Sequence, residues 1–476
     1  MSLRETVRDR FENKRIAVIG IGVSNLPLIR FLLDAGADIT ARDIKPLDEL
    51  SAEVKELCEK RGLSVICGEG YLDGIDEEII FRSPGLRPDV DKIAEAVRRG
   101  AVLTSEMELF FELTPARIVA ITGSDGKTTT TTLTYLLSKS LLEKSGNGGK
   151  AYVGGNIGAP LLPHVYEMTD KDIAVVELSS FQLQSMRDCA SVAVITNITP
   201  NHLNWHTDMQ EYTEAKKNVY RCGGCKRLVS NLSNDITREI LESAEGLVKV
   251  GFSLEEDSVD FCDGMVYLSD GNVILREGLC ETVLLDASKI KLPGRHNIEN
   301  YMAAAGAVYG LGFDEEMFVD VLREVAQSFG GVEHRLEFVR TFDGVDYYNS
   351  SIDSSPTRTA AALRSFDDKS IVICGGYDKH IPFAPLADVL CEKAKKVILC
   401  GATAGAIADA IEACDDFSGS GLSYETAADF EEAVRMARNA AGVGERVVLS
   451  PACASFDMFK NFEERGRRFK EIVNGF

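Results

Sequence analysis

The residues best suited to chemistry lie in the stretch IVAITGSDGKTTTTT, which begins at Ile118. An apolar strand leads into a glycine turn, and a Lys-Thr pair follows at the start of a predicted helix. Gly123 and Gly126 let backbone N–H groups converge on anionic oxygens, and the first helical turn attracts the same charge. Lys127 can contact β- and γ-phosphates, and the Thr128 hydroxyl can ligate Mg²⁺. The stretch therefore predicts a site for nucleotide phosphates.

The phosphate loop, as residues 123–128 are called below, departs from the spacing G-x-x-x-x-G-K-[ST]. The glycine before Gly126 lies three residues earlier instead of five. A glycine-rich turn without a ligand is the alternative interpretation. The apolar strand before the loop and the Lys-Thr pair after it favour phosphate binding, with ATP as the expected nucleotide.

Two further strands end in candidate metal ligands. Glu177 ends an apolar run, and ligands collect at the carboxyl ends of parallel strands. The γ-phosphate would repel this carboxylate unless Mg²⁺ lay between them, so we predict metal ligation; a helix-capping or solvated glutamate is the alternative. His202 follows the run 192–196 and, with His206, could share one helix face. A structural histidine is the alternative for His202.

Parallel α/β sheets must position these residues. Apolar, β-branched runs alternate with amphipathic stretches, which is typical of parallel strands connected by helices. A chain of 476 residues has room for about three domains. Asp-Gly pairs at 263–264 and 270–271 predict hairpin turns of a small antiparallel part, and Gly330-Gly331 predicts a domain boundary. The predicted strands are 15–19, 39–41, 79–81, 118–121, 173–178, 192–196, 370–374, 396–400 and 446–450, with a helix at 297–310.

The composition disfavours several kinds of partner. The 74 acidic and 52 basic side chains give a formal charge of -22, which repels nucleic acid and anionic membranes. No apolar run approaches the roughly 20 residues of a membrane-spanning helix, and residues 1–15 lack the apolar region of a signal peptide. We therefore expect a cytoplasmic protein with no nucleic-acid or membrane partner.

The 12 cysteines are scattered along the chain, which fits a reducing compartment. Cys222 and Cys225 form the one close pair in the sequence. They could be a redox dithiol or half of a zinc site, but no second pair with ligand spacing accompanies them. A pair without a chemical role is the favoured interpretation.

Near the N-terminus, Gly20-Ile21-Gly22 and the later Asp43 resemble a dinucleotide-binding fingerprint. The third glycine of that fingerprint is absent. The motif is therefore weak support for a nicotinamide cofactor.

Five segments, TGSDGKTT, GGNIG, ELSSFQL, NHLNWH and YTEAKK, occur in an order that resembles the Mur ligases over nearly the whole chain. ELSSFQL is similar to the D-glutamate-adding branch of that family. The resemblance implies an ATP-dependent amide ligase that joins D-glutamate to UDP-N-acetylmuramoyl-L-alanine through an acyl phosphate, in peptidoglycan synthesis. It also implies a monomer with three α/β domains.

The implied domains divide the work among three ligands. Residues 1–105 would form a Rossmann-like domain for the UDP-substrate. Residues 106–330 would form the ATP-binding domain, a P-loop ATPase-like parallel sheet with a small antiparallel part. Residues 331–476 would form a second Rossmann-like domain for D-glutamate.

In this family a lysine at the position of Lys216 is carbamylated and contacts Mg²⁺. The resemblance implies that Thr128 and Glu177 hold one Mg²⁺, and that His202 and the Lys216 carbamate hold a second. Lys127, Lys216, His202 and Glu177 would then be the catalytic residues. By its own pattern, Glu214-Ala215-Lys216-Lys217 predicts an exposed helix face.

The resemblance also implies contacts for each substrate. For ATP they are Gly123, Ser124, Asp125, Gly126, Lys127, Thr128, Thr129, Asn297, Asn300 and Arg335. For the UDP-substrate they are Val23, Ser24, Asp43, Ser83, Pro84, Gly85, Asn156 and Ser179. For D-glutamate they are Lys379, Ser354, Ser455 and Phe462, while Phe459 is expected in the core.

The chain departs from the family pattern in two places. Asn201 and Asn204 stand where the family often has aspartates, and residues 350–355 read SSIDSS where it has D-S-K-A-T-N. Two alternatives therefore stay open. One is another ligase of the same fold, such as a folylpolyglutamate synthase or a different Mur ligase, and the other is a nucleotide-binding regulatory protein without ligase activity.

Overall fold

The computed structural model describes residues 2–203, 205–256, 259–379 and 381–476, in which the strands form sheets of five, nine and six strands. The chain divides into two compact units. The first contains Met1–Ala287 and Ile298–Val325, and the second contains Ser288–Asn297 and Ala326–Phe476. Within the described residues, no helix is both long and apolar enough to cross a membrane.

The first sheet is parallel throughout, in the order β3-β2-β1-β4-β5. The order reverses on either side of β1, so the loops after β1 and β4 lie side by side at a topological switch point. The predicted Rossmann-like arrangement is confirmed. Its elements are α1 (Leu3–Phe11), β1 (Arg15–Ile19), α2 (Asn25–Asp34), β2 (Asp38–Asp43), α3 (Ala52–Arg61), β3 (Ser64–Cys67), β4 (Ile79–Arg82), α4 (Asp91–Arg98) and β5 (Val102–Thr104).

The central sheet has the order β14-β13-β12-β11-β10-β9-β6-β8-β7. Its central strands are buried along their whole length, which is why they are continuous apolar runs. Its elements are α5 (Glu106–Leu113), β6 (Arg117–Thr122), α6 (Lys127–Ser145), β7 (Ala151–Gly155), β8 (Ile173–Glu177), α7 (Ser180–Leu183), β9 (Val192–Ile195), α8 (Met209–Lys217), β10 (Arg227–Asn231), α9 (Asp235–Ser243), β11 (Val248–Ser253), β12 (Gly264–Ser269), β13 (Asn272–Glu277), β14 (Cys280–Asp286), α10 (Arg295–Tyr309) and α11 (Glu315–Ser328).

The predicted antiparallel part is confirmed as β12, β13 and β14, but it extends the central sheet because β12 pairs in parallel with β11. Asp270 and Gly271, with φ angles of 49° and 77°, form the predicted turn between β12 and β13. The turn predicted at Asp263 is wrong. Asp263 bonds instead to the backbone of Lys249, and β12 begins at Gly264.

The third sheet has the order β15-β16-β20-β17-β18-β19, and only β15 pairs antiparallel. This confirms a second α/β unit. The compact units part after Val325, a few residues before the predicted boundary at Gly330, and the three domain ranges stay predictions. The elements are β15 (Glu337–Phe342), β16 (Val345–Asn349), α12 (Pro356–Arg364), β17 (Ser370–Cys374), α13 (Ala384–Lys393), β18 (Ala394–Leu399), α14 (Ala404–Glu412), α15 (Phe417–Ser420), β19 (Ser423–Thr426), α16 (Phe430–Ala440), β20 (Arg446–Leu449) and α17 (Phe462–Asn474).

One buried carboxyl group lies in the core of the first unit. Glu106 begins α5 and is only 5% exposed. It accepts a hydrogen bond from the Leu162 backbone, while its Oε1 has no hydrogen-bond partner among the described residues. Burial raises the pKa of Glu106 to about 7. The folded protein therefore binds a proton here at a pH where the unfolded chain has released it.

Glu106→Gln should make the first unit less sensitive to alkali. The folded-state pKa lies above the ordinary value, so the contribution of Glu106 to stability is lost as the pH rises from about 4.5 to about 7, by up to about 3 kcal/mol. The variant should thus match the wild type at pH 4.5 and exceed it at pH 8, measured by urea unfolding. The exposed Glu95→Gln serves as control, and an unchanged pH profile in Glu106→Gln would contradict the assignment.

Candidate active site

The phosphate loop connects β6 to α6, as predicted, and Gly126 caps the helix with a φ of 79°. The end of β9 holds the loop in place. The Asn197 carbonyl accepts from the Ser124 amide at 2.8 Å, and Asn197 Oδ1 accepts from the Asp125 amide at 2.9 Å. Thr196 Oγ1 donates to the Asp125 carbonyl at 2.5 Å. The loop is therefore shaped by the neighbouring strand as well as by its own glycines.

Two lysines converge on the loop. Lys127 Nζ donates to the carbonyls of Gly123 at 3.0 Å and Ser124 at 2.9 Å. Lys216 Nζ donates to the same Gly123 carbonyl at 2.7 Å. Lys216 is 1% exposed, so the exposed helix face predicted from its own pattern is wrong, because α8 turns this face onto the loop. Burial, and next the Lys127 cation, lower the pKa of Lys216 well below its ordinary value.

Glu177 lies at the carboxyl end of β8 and is 1% exposed. Its Oε1 accepts a hydrogen bond from Asn156 Nδ2 at 2.9 Å. Its Oε2 has no hydrogen-bond partner among the residues that the structure describes. Burying a carboxylate oxygen without a partner is costly, and oxygen is the ligand that Mg²⁺ prefers. The residues present therefore fit a divalent cation at Glu177.

The predicted helix face for the two histidines is wrong, since both precede α8 and His202 has a φ of 55°. Their rings nevertheless gather around Phe181, with centroid distances of 4.9 Å for His202 and 5.8 Å for His206. His206 is buried, and its Nε2 lies 2.9 Å from Ser180 Oγ. Partial burial, followed by the nearby lysine cations of the loop, lowers the pKa of His202. The His202 ring is therefore within electrostatic reach of Lys127 and Lys216, and its role as a metal ligand stays a prediction.

Asn300 also faces the loop. Its Oδ1 accepts from Thr130 Oγ1 at 3.1 Å, and a Cβ added at Gly126 would lie 2.5 Å from that oxygen. Thr128 and Thr129 lie in the first turn of α6, half-buried and buried respectively. The other two predicted ATP contacts, Asn297 and Arg335, belong to the second unit.

Six of the eight predicted UDP-substrate contacts lie in the first sheet, at or beside its switch point, while Asn156 and Ser179 lie at the central sheet. Asp43 ends β2, and its carboxylate accepts from the Ile21 amide at 2.6 Å, which fixes the glycine turn after β1. A Cβ at Gly20 would lie 2.7 Å from Ser83 Cβ, so the turn and the loop after β4 touch. Val23 is 80% exposed beside them. Ser24, Pro84 and Gly85 share these two loops, whereas Ser179 caps α7 at the central sheet.

The predicted D-glutamate contacts come from loops after β16, β17 and β20, which are adjacent in the third sheet. The Tyr377 amide donates to the Ala454 carbonyl at 2.9 Å, which places the loop of Lys379 beside that of Ser455. Ser455 is 2% exposed. Phe462 begins α17, and the centroid of its ring lies 6.0 Å from the centroid of the His334 ring. Phe459 packs against the core, as expected.

The altered segment 350–355 is partly buried. Ser350 is 1% exposed and accepts from the Leu336 amide at 3.0 Å. Asp353 is also buried, accepts from Ser450 Oγ at 2.8 Å, and has a pKa raised by burial. Ser354, the predicted contact, is half-buried. Sequence reasoning assigned no role to Asp353, because its structural role depends on the loop after β20.

Cys222 and Cys225 are not bonded to each other. Cys222 forms a disulfide with Cys189, and Cys225 is a buried free thiol that donates to the Arg227 carbonyl. Neither a Cys222–Cys225 dithiol nor half of a zinc site is observed. The disulfide also departs from the expectation of fully reduced cysteines.

Several residues around the loop escaped sequence reasoning. Tyr212 is 1% exposed, its hydroxyl lies 2.9 Å from Ser124 Oγ, and the Lys216 ammonium lies 4.6 Å from its ring centre. Thr196 and Asn197 shape the loop, as described above. Thr196 and Asn197 lie at the end of a strand that was predicted to neighbour the loop, and this position in the sequence could have identified them. Asn204, one of the two departures from the family pattern, lies outside the described residues.

Comparison with known proteins identifies the class. Residues 121–308 match the Mur ligase middle domain, and residues 334–453 match the Mur ligase, glutamate ligase domain. The chain is 48% identical to the UDP-N-acetylmuramoylalanine--D-glutamate ligase of Acetivibrio thermocellus, covering 98% of this chain and 97% of the relative. It is 45% identical to the ligase of the same name from Ruminiclostridium cellulolyticum, covering 99% and 98%. The chain therefore belongs to the Mur ligase family.

Solved structures of the family share the fold. One is a UDP-N-acetylmuramate-alanine ligase from Thermotoga maritima, with a TM-score of 0.53 and 18% identity over 97% of this chain and 100% of that one. Another is a UDP-N-acetylmuramoyl-L-alanyl-D-glutamate--2,6-diaminopimelate ligase, with a TM-score of 0.55 and 17% identity over 98% and 94%. At this identity the likeness supports the fold alone.

Gly123→Ala should disrupt the phosphate loop. An added Cβ would lie 1.9 Å from Thr196 Oγ1, and the φ of 148° is one that alanine rarely adopts. We expect a loss of at least about 2 kcal/mol of unfolding free energy, and loss of Mg-ATP binding by calorimetry.

The matched control is Gly146→Ala at the other end of α6. Its φ is 63°, and no described atom lies within 4 Å of the added Cβ. It should cost about 1 kcal/mol from backbone strain alone and leave Mg-ATP binding intact. Equal effects of the two substitutions would refute the close-contact explanation.

Proposed function

We propose that this chain is an ATP-dependent amide ligase that joins D-glutamate to the alanyl carboxylate of UDP-N-acetylmuramoyl-L-alanine, in peptidoglycan synthesis. The observation that carries the proposal is the convergence of Lys127 and Lys216 on a glycine loop that opens a helix, with Glu177 at the end of the neighbouring strand β8. Relatives 44–48% identical over nearly the whole chain carry the name of that ligase, which supports the choice of substrates.

The chemistry has two steps. A carboxylate does not acylate an amine in water at useful rates, because oxide is a poor leaving group. The alanyl carboxylate therefore attacks the γ-phosphorus of ATP, which forms an acyl phosphate and releases ADP. The D-glutamate amine then attacks the acyl carbon, the amide bond forms, and inorganic phosphate leaves with the bonding pair. The amine gives up a proton in this step.

The phosphate loop would stabilise the transferring group. Lys127 Nζ donates to two carbonyls of the loop itself, so it would bind phosphate oxygens held there. The unpaired amides of the first turn of α6 would attract the same anion. Thr128 and Glu177 would hold one Mg²⁺, and His202 with a carbamylated Lys216 would hold a second. Mg²⁺ supplies charge neutralisation of the phosphates.

Carbamylation would reconcile Lys216 with a nearby cation. An ammonium repels Mg²⁺, whereas a carbamate supplies anionic oxygens. It forms when the neutral amine attacks CO₂ and releases a proton. Burial of the Lys216 side chain favours the neutral amine that this reaction needs.

The remaining roles follow the three sheets. We assign the UDP-substrate to the loops of the first sheet, ATP to the central sheet with Asn297 and Arg335, and D-glutamate to the loops of the third sheet. The corresponding domains are residues 1–105, 106–330 and 331–476. We further propose a cytoplasmic monomer, since its substrates are a nucleotide, a nucleotide sugar and a free amino acid.

Phosphate release tests this function. With Mg-ATP and UDP-N-acetylmuramoyl-L-alanine, D-glutamate should start release of phosphate, and L-glutamate should be at least about tenfold less effective. Phosphate release should be slower still when another amino acid replaces D-glutamate, or when a folate replaces UDP-N-acetylmuramoyl-L-alanine. Mg-ATP binding without turnover on any substrate would instead support a regulatory protein, and turnover with a different pair would support another ligase of this fold.

Lys216→Ala should lower kcat by at least about a hundredfold. The substitution removes the carbamate, which is the proposed ligand of a Mg²⁺ that neutralises the transferring phosphoryl group. Lys217→Ala is the matched control. Lys217 is adjacent but forms an ion pair with Glu214, and should change kcat by no more than about twofold. Full activity of Lys216→Ala would eliminate the carbamate.

A further inference from the structure

A half-buried ion pair joins the loop after β4 to the first turn of α8. Arg87 Nη2 lies 2.8 Å from Glu211 Oε1, and Nη1 lies 3.2 Å from Oε2. The two side chains are 22% and 24% exposed. Arg87 Nη1 also donates to the Trp205 carbonyl at 2.5 Å. A bidentate guanidinium–carboxylate contact of this kind fixes orientation as well as distance.

Further contacts hold each partner in place. Asp89 accepts two hydrogen bonds of 2.8 Å from Arg87. Glu211 accepts from the Thr207 amide at 2.6 Å and from Gln184 Nε2 at 2.8 Å. Hydrogen bonding to Arg87 is the main cause that lowers the pKa of Glu211 to about 2. The pair is therefore charged, with its geometry set from both sides, throughout the neutral range.

The Arg87 end of the pair belongs to the proposed UDP-substrate region. Arg87 lies two residues after Gly85, in the loop that begins at Ser83. The neighbouring Arg82, 1% exposed, binds the Phe181 carbonyl at 2.8 Å, so this loop is attached to the central sheet at a second point. The loop is thus a connection between two substrate regions.

The Glu211 end belongs to the phosphate loop. The next residue on α8 is Tyr212, whose hydroxyl lies 2.9 Å from Ser124 Oγ. Lys216, on the same helix, donates to the Gly123 carbonyl at 2.7 Å. An α-helix rises about 1.5 Å per residue, so the anchor at Glu211 lies only about 7.5 Å along the axis from Lys216. A shift of the first turn of α8 would be passed to both contacts with the loop.

We propose that the Arg87–Glu211 ion pair is a positioning device: it fixes α8 to the loop of the UDP-substrate, so that Tyr212 and Lys216 hold the phosphate loop in register with that substrate. The inference rests on the proposed function, because only a ligase that uses both regions needs them aligned. Neither Arg87 nor Glu211 is a catalytic residue, since each acts through α8.

Hydrogen exchange tests the anchor without relying on turnover. Arg87→Met and Glu211→Gln should each speed exchange of the amides of residues 212–217 by about fivefold or more. Lys92→Met, which removes an exposed pair with Asp73 in the same sheet region, should leave these amides unchanged. Arg87→Lys keeps the positive charge but loses the bidentate geometry of the guanidinium. Its exchange rates for residues 212–217 should lie between those of Arg87→Met and the wild type. This variant replaces Arg87→Met in the test if Arg87→Met does not fold.

Kinetic measurements then show whether the ion pair positions the phosphate loop or only stabilises the fold. Arg87→Met should lower kcat by about tenfold or more while the KM for ATP stays within about threefold. The double variant Arg87→Met with Glu211→Gln should be little slower than the slower of the two single variants, because either substitution alone already removes the ion pair. Wild-type exchange of α8 in Arg87→Met, or multiplied losses in the double variant, would overturn the inference. A wild type without turnover would refute the ligase function instead, and exchange would still decide whether the pair anchors α8.

Discussion

Two lysine amino groups share one carbonyl oxygen, that of Gly123, and the proposed chemistry of the central sheet depends on this contact. Lys127 reaches it from α6 at 3.0 Å, and Lys216 reaches it from α8 at 2.7 Å. Two cations on one dipole would repel each other, which together with burial favours the neutral amine of Lys216 and an anion beside Lys127. In the proposed function, a nucleotide phosphate would bind Lys127, and conversion of Lys216 to a carbamate would remove the second cation. Among the residues that the structure describes, the buried Oε2 of Glu177 has no hydrogen-bond partner, so it is available to a cation.

In all three sheets, the loops that carry the predicted site residues lie at the carboxyl ends of parallel strands. In the central sheet, β6, β8 and β9 are adjacent, and they deliver the phosphate loop, Glu177 and Asn197. In the first sheet this arrangement brings the loops after β1 and β4 together. In the third sheet it brings together those after β16, β17 and β20.

Periodicity sufficed to predict the strands whose burial makes them apolar runs, such as β6 and β17, and the loop between β6 and α6. It failed where the deciding contacts are distant in the sequence. Lys216 has a surface-like pattern around it and is buried only because α8 packs on the loop. Asp263 has a turn-like sequence but bonds to the neighbouring strand, and Cys222 bonds to a cysteine 33 residues away. The roles of individual site residues remain predictions that follow from the family resemblance.

In the proposed function, the phosphate loop delivers the γ-phosphoryl group of ATP to a carboxylate. The most direct measurement uses UDP-N-acetylmuramoyl-L-alanine labelled with ¹⁸O in its alanyl carboxylate, with unlabelled ATP and D-glutamate. Mass spectrometry of the released phosphate should find one ¹⁸O per molecule, because the carboxylate oxygen that attacked phosphorus leaves with it. Phosphate that carries no label while the amide product accumulates would contradict the account.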